Sequence, residues 1–182
     1  MVHNPKHSQQ FMTWCLESAI ILINDALNDA SRKLTGRSVV DLLREAAGIS
    51  GATSKDASRM AYELKRHQYI EIGEGSSVRL TNKAKIRIID KISQSREWDN
   101  LYRVISFDIP ETKKSKRDSF RRAIKRMGFV QVQKSLWVGK RNVGDLIDLV
   151  SDEYQVSDYV AYFVADRTNI NAYLQRLLEA ES

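Results

Sequence analysis

The chain has 182 residues, is 42% hydrophobic, and carries 29 Lys and Arg against 23 Asp and Glu, for a net charge of +6. This length allows one large domain or two small ones with a hydrophobic core, and it excludes a chain that is disordered throughout. The excess of positive charge favours an anionic partner. Cys15 is the single cysteine, which excludes an intrachain disulfide and a zinc site built from several thiolates of one chain.

The sequence offers no hydrophobic segment suited to a membrane or to export. Its longest purely apolar run, Ala19 to Ile23, is far shorter than the roughly 20 residues that span a bilayer. The first ten residues lack the apolar core of a signal peptide. We therefore expect a cytoplasmic protein without a membrane partner.

Three helices are predicted in the first half, because apolar residues recur there with the 3.6-residue period of a helix. They are expected from Phe11 to near Gly36, from Ser38 to Gly48, and from Ser54 to about His67. Ser38 and Ser54 are suited to the N-cap position, and glycine is suited to the end of a helix.

After His67 the pattern changes from helical to alternating, which predicts a β-hairpin. Its strands are expected at Tyr69–Ile72 and Val78–Leu80, around the turn Gly73–Ser77. Thr81 then caps a fourth helix that runs through Ile92. Helix, turn, helix, hairpin and helix in this order are the signature of a winged helix-turn-helix. We therefore expect residues 1–94 to form a DNA-binding domain of that class.

A second domain is predicted over residues 95–182. The polar stretch from Ser93 to Asn100 is the expected boundary between the two domains. Strands are expected at Tyr102–Phe107, Phe129–Gln133, Leu136–Val138 and Asp158–Val164, and helices at Ser115–Met127, Val143–Tyr154 and Asn169–Leu178. This βαββαβ order with an added C-terminal helix is that of a ferredoxin-like fold. The predicted fold class of the whole chain is α+β.

The third helix supplies the candidate DNA-reading surface, since this helix of a winged helix enters the major groove. If Ala57, Ala61 and Leu64 are buried, Glu63 lies toward the edge that turns away from phosphate. The predicted DNA-binding residues are Lys55, Ser58, Arg59, Tyr62 and Arg66 on the helix and Arg79 on the hairpin. The alternative is the solvated face of a protein interaction module.

A second basic feature is the helix between Lys113 and Arg126, whose apolar stripe packs on a sheet and whose charges point outward. Its phosphate-binding candidates are Arg117, Arg121, Arg122 and Lys125. Contacts of this kind would make affinity for nucleic acid strongly salt-dependent. A helix that only confers solubility is the alternative.

Asp108, at the end of a strand, has three candidate roles. Paired with its twofold mate in a dimer, it could hold magnesium or manganese and position a water for phosphodiester attack. It could instead cap the turn at Ile109 and Pro110, or be an ordinary solvated carboxylate. The surrounding sequence shows no His, no second acidic residue with ligand spacing and no phosphate-binding Gly loop. A catalytic role would therefore need both chains of a dimer, and otherwise no cofactor is expected.

Three segments of the second half resemble a known family. They are Ser106–Glu111 (SFDIPE), Met127–Phe129 (MGF) at the end of the basic helix, and Val132–Val138 (VQKSLWV). They resemble the ferredoxin-like domain of the Cas-two family of CRISPR adaptation proteins. They resemble more closely the central domain of PaaX-type transcriptional repressors, in which a similar domain follows a winged helix. Those repressors typically continue into a further C-terminal domain, which we expect this chain to lack.

The resemblance implies a homodimer, formed through the ferredoxin-like domains, that presents two winged helices to a palindromic operator in double-stranded DNA. It aligns Asp108 with the strand-end aspartate that is the proposed metal ligand of the nuclease members, and Arg117 with a basic position of the helix. Gln133, Ser135 and Trp137 match the strand motif that supports packing and pairing.

The leading hypothesis is a sequence-specific DNA-binding transcriptional regulator, a repressor that blocks a promoter. One alternative is a metal-dependent endonuclease that uses Asp108. Another is a scaffold that holds nucleic acid through the basic helix without reading its sequence. The sequence does not indicate whether a small-molecule effector acts on the protein.

Overall fold

The computed structural model of the protein describes residues 5–28, 39–44, 54–74 and 77–180. The chain divides into two compact units, Met1–Ile88 and Ile89–Ser182. The first unit contains a two-stranded antiparallel sheet and the second a four-stranded antiparallel sheet, each accompanied by helices. The predicted α+β class is therefore confirmed.

The first unit contains four described helices and a hairpin. They are α1 (Pro5–Asn28), α2 (residues 39–44), α3 (Ser54–Arg66), β1 (Ile70–Ile72), β2 (Val78–Leu80) and α4 (Asn82–Arg87). The first helix starts earlier than expected, at Pro5 rather than Phe11. Its predicted end near Gly36, the predicted cap Ser38 and the predicted stop Gly48 lie outside the described residues.

The core of the first unit is organised around α1. This helix buries Ala19, Ile20, Ile23 and Ala26, whose spacing places them on one stripe of the helix. The stripe faces α3, β2 and α4. At the edge of this core, Arg87 Nε lies 2.8 Å from Glu17 Oε1 and links α4 to α1. The side of α3 that does not face α1 is exposed to solvent.

The single fourth helix predicted through Ile92 is wrong, since two short helices occupy this segment. They are α4 (Asn82–Arg87) and α5 (Ile89–Gln94). Ile88 separates them with φ −111° and ψ 22°, outside the helical region. Ile88 and Ile89 are both almost fully buried, one at the end of the first unit and the other at the start of the second. The non-helical conformation of Ile88 therefore coincides with the boundary between the two units.

Helix α5 packs within the second unit. Ser93 Oγ, which is buried, donates a hydrogen bond to the Met127 carbonyl at 2.7 Å. Arg126 Nη2 lies 2.7 Å from Asp90 Oδ1. The division between the units at Ile88 and Ile89 therefore falls before the position expected from the sequence, after residue 94.

The rest of the second unit follows the predicted order of elements. It contains β3 (Trp98–Phe107), α6 (Lys114–Arg126), β4 (Val130–Gln133), β5 (Leu136–Arg141), α7 (Gly144–Glu153), β6 (Val160–Ala165) and α8 (Asn171–Ala180). Strand β3 begins at Trp98, inside the polar stretch that was expected to separate the domains.

The four strands form one sheet in the order β4, β5, β3, β6, with every neighbouring pair antiparallel. Side chains alternate between its two faces. On one face, Phe107 meets Phe120 of α6 edge to face, with ring centroids 5.4 Å apart, and α7 packs beside α6. On the other face, Leu174 of α8 joins Tyr102 and Val138 in a buried cluster. Helix α6 therefore covers one face of the sheet and turns its charged side to solvent.

Candidate nucleic-acid interface

The outer face of α3 carries most of the predicted DNA-binding side chains. Ala57 and Leu64 are buried as expected, with exposed fractions of 2% and 0%. Ser58 and Arg59 are exposed, and Tyr62 is 65% exposed although it is aromatic. A large exposed aromatic beside a cation is suited to contact a flat or charged ligand. Lys55 belongs to α3 by its backbone, but the prediction made for its side chain lies outside the described residues.

Arg66 is exposed on α3 but is held by a neighbouring carboxylate. Its Nη2 lies 2.7 Å from Glu63 Oε2, and its Nε donates to the same oxygen at 2.9 Å. Glu63 was expected toward the opposite edge of the helix, and the structure instead places it against Arg66. The spacing of three residues is a signal that could have indicated this pair. Arg59, in contrast, makes no ion pair with any residue that the structure describes.

A tight turn joins α3 to the hairpin. Gln68 adopts a left-handed conformation with φ 57°, which ends the helix and reverses the chain. The Tyr69 N–H donates to the Leu64 carbonyl at 2.8 Å. The rings of His67 and Tyr69 stack with centroids 5.8 Å apart. These contacts fix where the hairpin starts relative to the outer face of α3.

Two residues of α4 and its cap hold the same turn from the other side. Thr81 is the N-cap of α4, as predicted, and its Oγ1 accepts a hydrogen bond from the Ala84 N–H at 3.2 Å. The same hydroxyl donates to the Gln68 carbonyl at 2.7 Å. Lys83 Nζ donates to the His67 carbonyl at 3.1 Å, where a cation also complements the C-terminal end of the α3 dipole. The sequence identified Thr81 as a cap but did not indicate its second bond or the role of Lys83.

The hairpin presents Arg79 on an exposed position of β2. Directly opposite on β1 is Glu71, which is also exposed. Side chains opposite each other in a hairpin share a face, so the Glu71 carboxylate reduces the positive field at Arg79. The Gly73 N–H donates to the Ser77 carbonyl at 2.8 Å and begins the turn, while Gly75 and Ser76 lie outside the described residues. The register that opposes Arg79 to Glu71 could not be read from residue spacing alone.

The four phosphate-binding candidates of α6 differ in their contacts. Arg117 Nη2 lies 2.7 Å from Glu111 Oε2, and its Nη1 donates to the Ile109 carbonyl at 3.3 Å. Arg121 lies over the Trp137 ring, with 5.7 Å between the guanidinium carbon and the ring centroid. Arg122 and Lys125 are exposed. The structure therefore separates two arginines engaged within the unit from two cations that face solvent.

Asp108 is exposed at the end of β3. Its backbone N–H donates to the Tyr159 carbonyl at 3.0 Å, which ties the strand end to the turn before β6. Among the described residues, no three His, Cys, Asp or Glu side chains come together as metal ligands. One carboxylate is too few for a hydrated divalent cation site in one chain. The metal role of Asp108 stays a prediction that requires a second chain.

Among the described residues, no helix has the length and apolar composition that crossing a bilayer requires.

Comparison with known proteins finds one family that most of the second unit resembles. Residues 95–175 match the family described as the PaaX protein central Cas2-like domain. No curated protein matches the chain. The matched segment extends from the residues before β3 into α8, and it includes all three segments on which the resemblance was based. Residues 95–175 of the chain are thus similar to the PaaX central Cas2-like domain.

Proposed function

We propose that this protein is a sequence-specific DNA-binding transcriptional regulator, a repressor that acts as a homodimer on a palindromic operator. The family match of the second unit supports a regulator of transcription. The first unit supports the DNA-binding role through its helices and hairpin. Its α1, α2, α3, β1–β2 and α4 follow the order of a winged helix-turn-helix.

The observation that carries this proposal is the outer face of α3. This helix buries Ala57 and Leu64 on one side and exposes Arg59 and Tyr62 on the other. A recognition helix needs this division, because one face must pack on its domain while the other reaches base edges. The proposed DNA contacts are Lys55, Ser58, Arg59, Tyr62 and Arg66 on α3 and Arg79 on the hairpin. Arg59 is the proposed base-reading residue, since the ion pair of Arg66 with Glu63 opposes a base contact there.

The second unit is proposed to be a ferredoxin-like dimerisation domain. Its strand order β4, β5, β3, β6 supports this fold. The two parallel strands of each βαβ unit are separated by one antiparallel strand, as in a ferredoxin-like sheet. Strand β6 lies at an edge of the sheet and reads VAYFVA, without charge, proline or glycine. Phe163 and Val164 on this strand are each 54% exposed. Edge strands without protective residues tend to pair with another chain, which supports β6 as part of the contact between subunits.

The proposed mechanism is steric. A dimer would hold two α3 helices at a fixed separation, and each would read one half of a palindrome in the major groove. Occupation of such an operator within a promoter would exclude RNA polymerase. The mechanism requires no chemical step and assigns no cofactor to the described residues.

The test is selection of DNA bound by the full-length protein from a random duplex pool, followed by affinity measurements on the enriched sequence. We expect a palindromic sequence to be enriched. Arg59→Ala should weaken binding to that sequence by about 1 to 3 kcal/mol, the contribution of a bidentate base contact, and should weaken binding to a scrambled duplex much less. Asp108→Ala should leave both affinities nearly unchanged.

Arg167→Ala is the control for the loss of one positive charge, because Arg167 is exposed in the second unit. An equal loss of affinity in Arg59→Ala on all sequences would contradict base reading by Arg59. A pool without any enriched sequence would contradict the proposed function. Cleavage of DNA or RNA that requires magnesium or manganese and is abolished in Asp108→Ala would favour the endonuclease instead.

A further inference from the structure

The positive charge of this protein is concentrated on one helix that the proposed reading surface does not include. Helix α6 contains seven Lys and Arg residues and one Asp, so its net charge of +6 equals that of the whole chain. The remaining residues therefore sum to zero. Charge concentrated in this way creates a local field that attracts anions far more strongly than the same charge spread over a surface.

Part of this charge is already engaged within the second unit. Arg117 pairs with Glu111 at 2.7 Å, Arg126 pairs with Asp90 at 2.7 Å, and Arg121 lies over the Trp137 ring. Of the other cations of α6, three are exposed to solvent. They are Lys114, Arg122 and Lys125.

The charges of α6 affect the pKa of two ionisable groups outside the helix, one near each end. The pKa of Glu111 is lowered, first by its hydrogen bond and charge interaction with Arg117 and also by Lys114 and Lys134. Burial raises the pKa of Tyr154, while the charges of Arg122 and Arg126 act in the opposite direction. Glu111 lies next to the N-terminal end of α6, and Arg122 and Arg126 belong to its C-terminal half. The field therefore extends along the helix.

The neighbouring helix limits where an anion can lie. Helix α7 packs beside α6 and has the sequence GDLIDLVSDE, with four acidic residues and no basic residue. All four carboxylates are exposed. They are Asp145, Asp148, Asp152 and Glu153. A polyanion would be repelled from α7 and confined to the track along α6.

We infer that α6 is a second DNA-binding surface, which contacts phosphates of duplex DNA without reading sequence through Arg122, Lys125 and Lys114. The inference rests on the proposed function, because that function supplies DNA as the anion. DNA is favoured over an acidic protein because the exposed side of α6 is charged and lacks an exposed large hydrophobic residue. Protein interfaces depend on a buried apolar or aromatic centre, whereas phosphate binding gains its free energy from the release of counterions.

The test is the salt dependence of DNA affinity for full-length protein carrying Arg122→Gln and Lys125→Gln together. The matched control is Arg167→Gln with Arg176→Gln, which removes the same charge from exposed positions of the second unit outside α6. The slope of log affinity against log salt should become shallower by about 1 to 2 in the α6 variant, because each phosphate that a cation neutralises contributes about 0.9 to the slope. The control should keep the wild-type slope.

The change should be the same on a scrambled duplex and on the sequence enriched by selection, so the preference between them should stay intact. A wild-type slope in the α6 variant, with that preference retained, would overturn this inference and leave the proposed function standing. A shallower slope without any preferred sequence would keep the α6 surface and contradict the proposed function. A change in oligomeric state in place of a change in slope would instead assign α6 to contacts with the acidic α7 of a second copy, against the inference.

Discussion

Arg103 is an arginine in the central strand β3 with only 2% of its surface exposed. A buried guanidinium is costly unless a carboxylate compensates its charge. Asp99, four residues earlier on the same strand, provides that carboxylate, with Arg103 Nη2 2.5 Å from Asp99 Oδ2. The hydrogen bond from Arg103 lowers the pKa of Asp99 below its ordinary value of 3.8. This pair gives the polar start of β3 a structural role.

Asp99→Asn should therefore lower the stability of the second unit at neutral pH. A carboxyl whose pKa is lowered by folding contributes stability above its ordinary pKa, and that contribution disappears as pH falls through the folded-state value. The difference in melting temperature between wild type and Asp99→Asn should thus be constant above about pH 5 and shrink below 3.8. Thermal unfolding from pH 7 to pH 2 measures it. Asp158→Asn, at an exposed position, is the control, and a difference that persists unchanged at the lowest pH would contradict the role of Asp99.

At the candidate site, residue spacing predicted the outward positions of Arg59 and Tyr62, because the helical period fixes which side chains oppose Ala57 and Leu64. It did not predict the partners of these residues. The pair between Arg66 and Glu63 depends on the choice of side-chain conformation. The opposition of charged residues on the hairpin depends on strand register, which a short sequence with a Gly-rich turn specifies weakly.

At the scale of elements, α6 combines two faces with separate roles. Phe120, Ala123 and Ile124 are buried against the sheet, while Arg122 and Lys125 are exposed. One face stabilises the unit by burying apolar surface. Substitutions at exposed positions such as Arg122 and Lys125 usually change stability little, so these two positions are compatible with a role in binding.

Phe120→Ala should accordingly destabilise the second unit by about 3 to 5 kcal/mol, because Phe120 is fully buried and its ring packs on Phe107. Arg122→Gln on the same helix should change the free energy of unfolding by less than about 0.5 kcal/mol. Urea denaturation followed by circular dichroism measures both. A large drop in stability in Arg122→Gln would mean that the charged face of α6 is part of the structural core and not a free binding surface.

Most elements of the second unit were predicted within a few residues, because alternating and helical periods are distinct in this part of the sequence. The start of β3 was missed because its polar and aromatic residues are stabilised by side-chain contacts that residue periodicity does not reveal. Asp99 pairs with Arg103, and Lys140 lies 4.8 Å from the centroid of the Trp98 ring. The break at Ile88 was missed for a related reason: the spacing of Ile86, Ile89 and Ile92 fits one continuous helix. Periodicity predicts which residues face inward but not that these residues are divided between two units.

At the scale of the whole molecule, the second unit is proposed to increase the DNA affinity of the first unit by forming the dimer. A monomer can occupy one half-site, whereas a dimer gains the second half-site at a high effective concentration. Phe163 is 54% exposed on the edge strand β6. Because it belongs to the second unit and not to α3, a substitution there can change dimerisation without changing the contact of α3 with a half-site. A charge placed on an edge strand opposes pairing with another chain.

If the protein is the proposed homodimer, Phe163→Glu should convert it to a monomer in sedimentation experiments at concentrations where the wild type sediments as a dimer. Ile72→Glu is the matched control, since Ile72 is an exposed apolar strand residue of the first unit, and it should remain dimeric. Affinity of Phe163→Glu for a single half-site should equal that of the wild type, because α3 is unchanged. Its affinity for the full palindrome should fall to the level of the half-site. If the monomeric variant still bound the palindrome as tightly as the wild type, operator recognition would not require the dimer, and the second unit would have to act in another way.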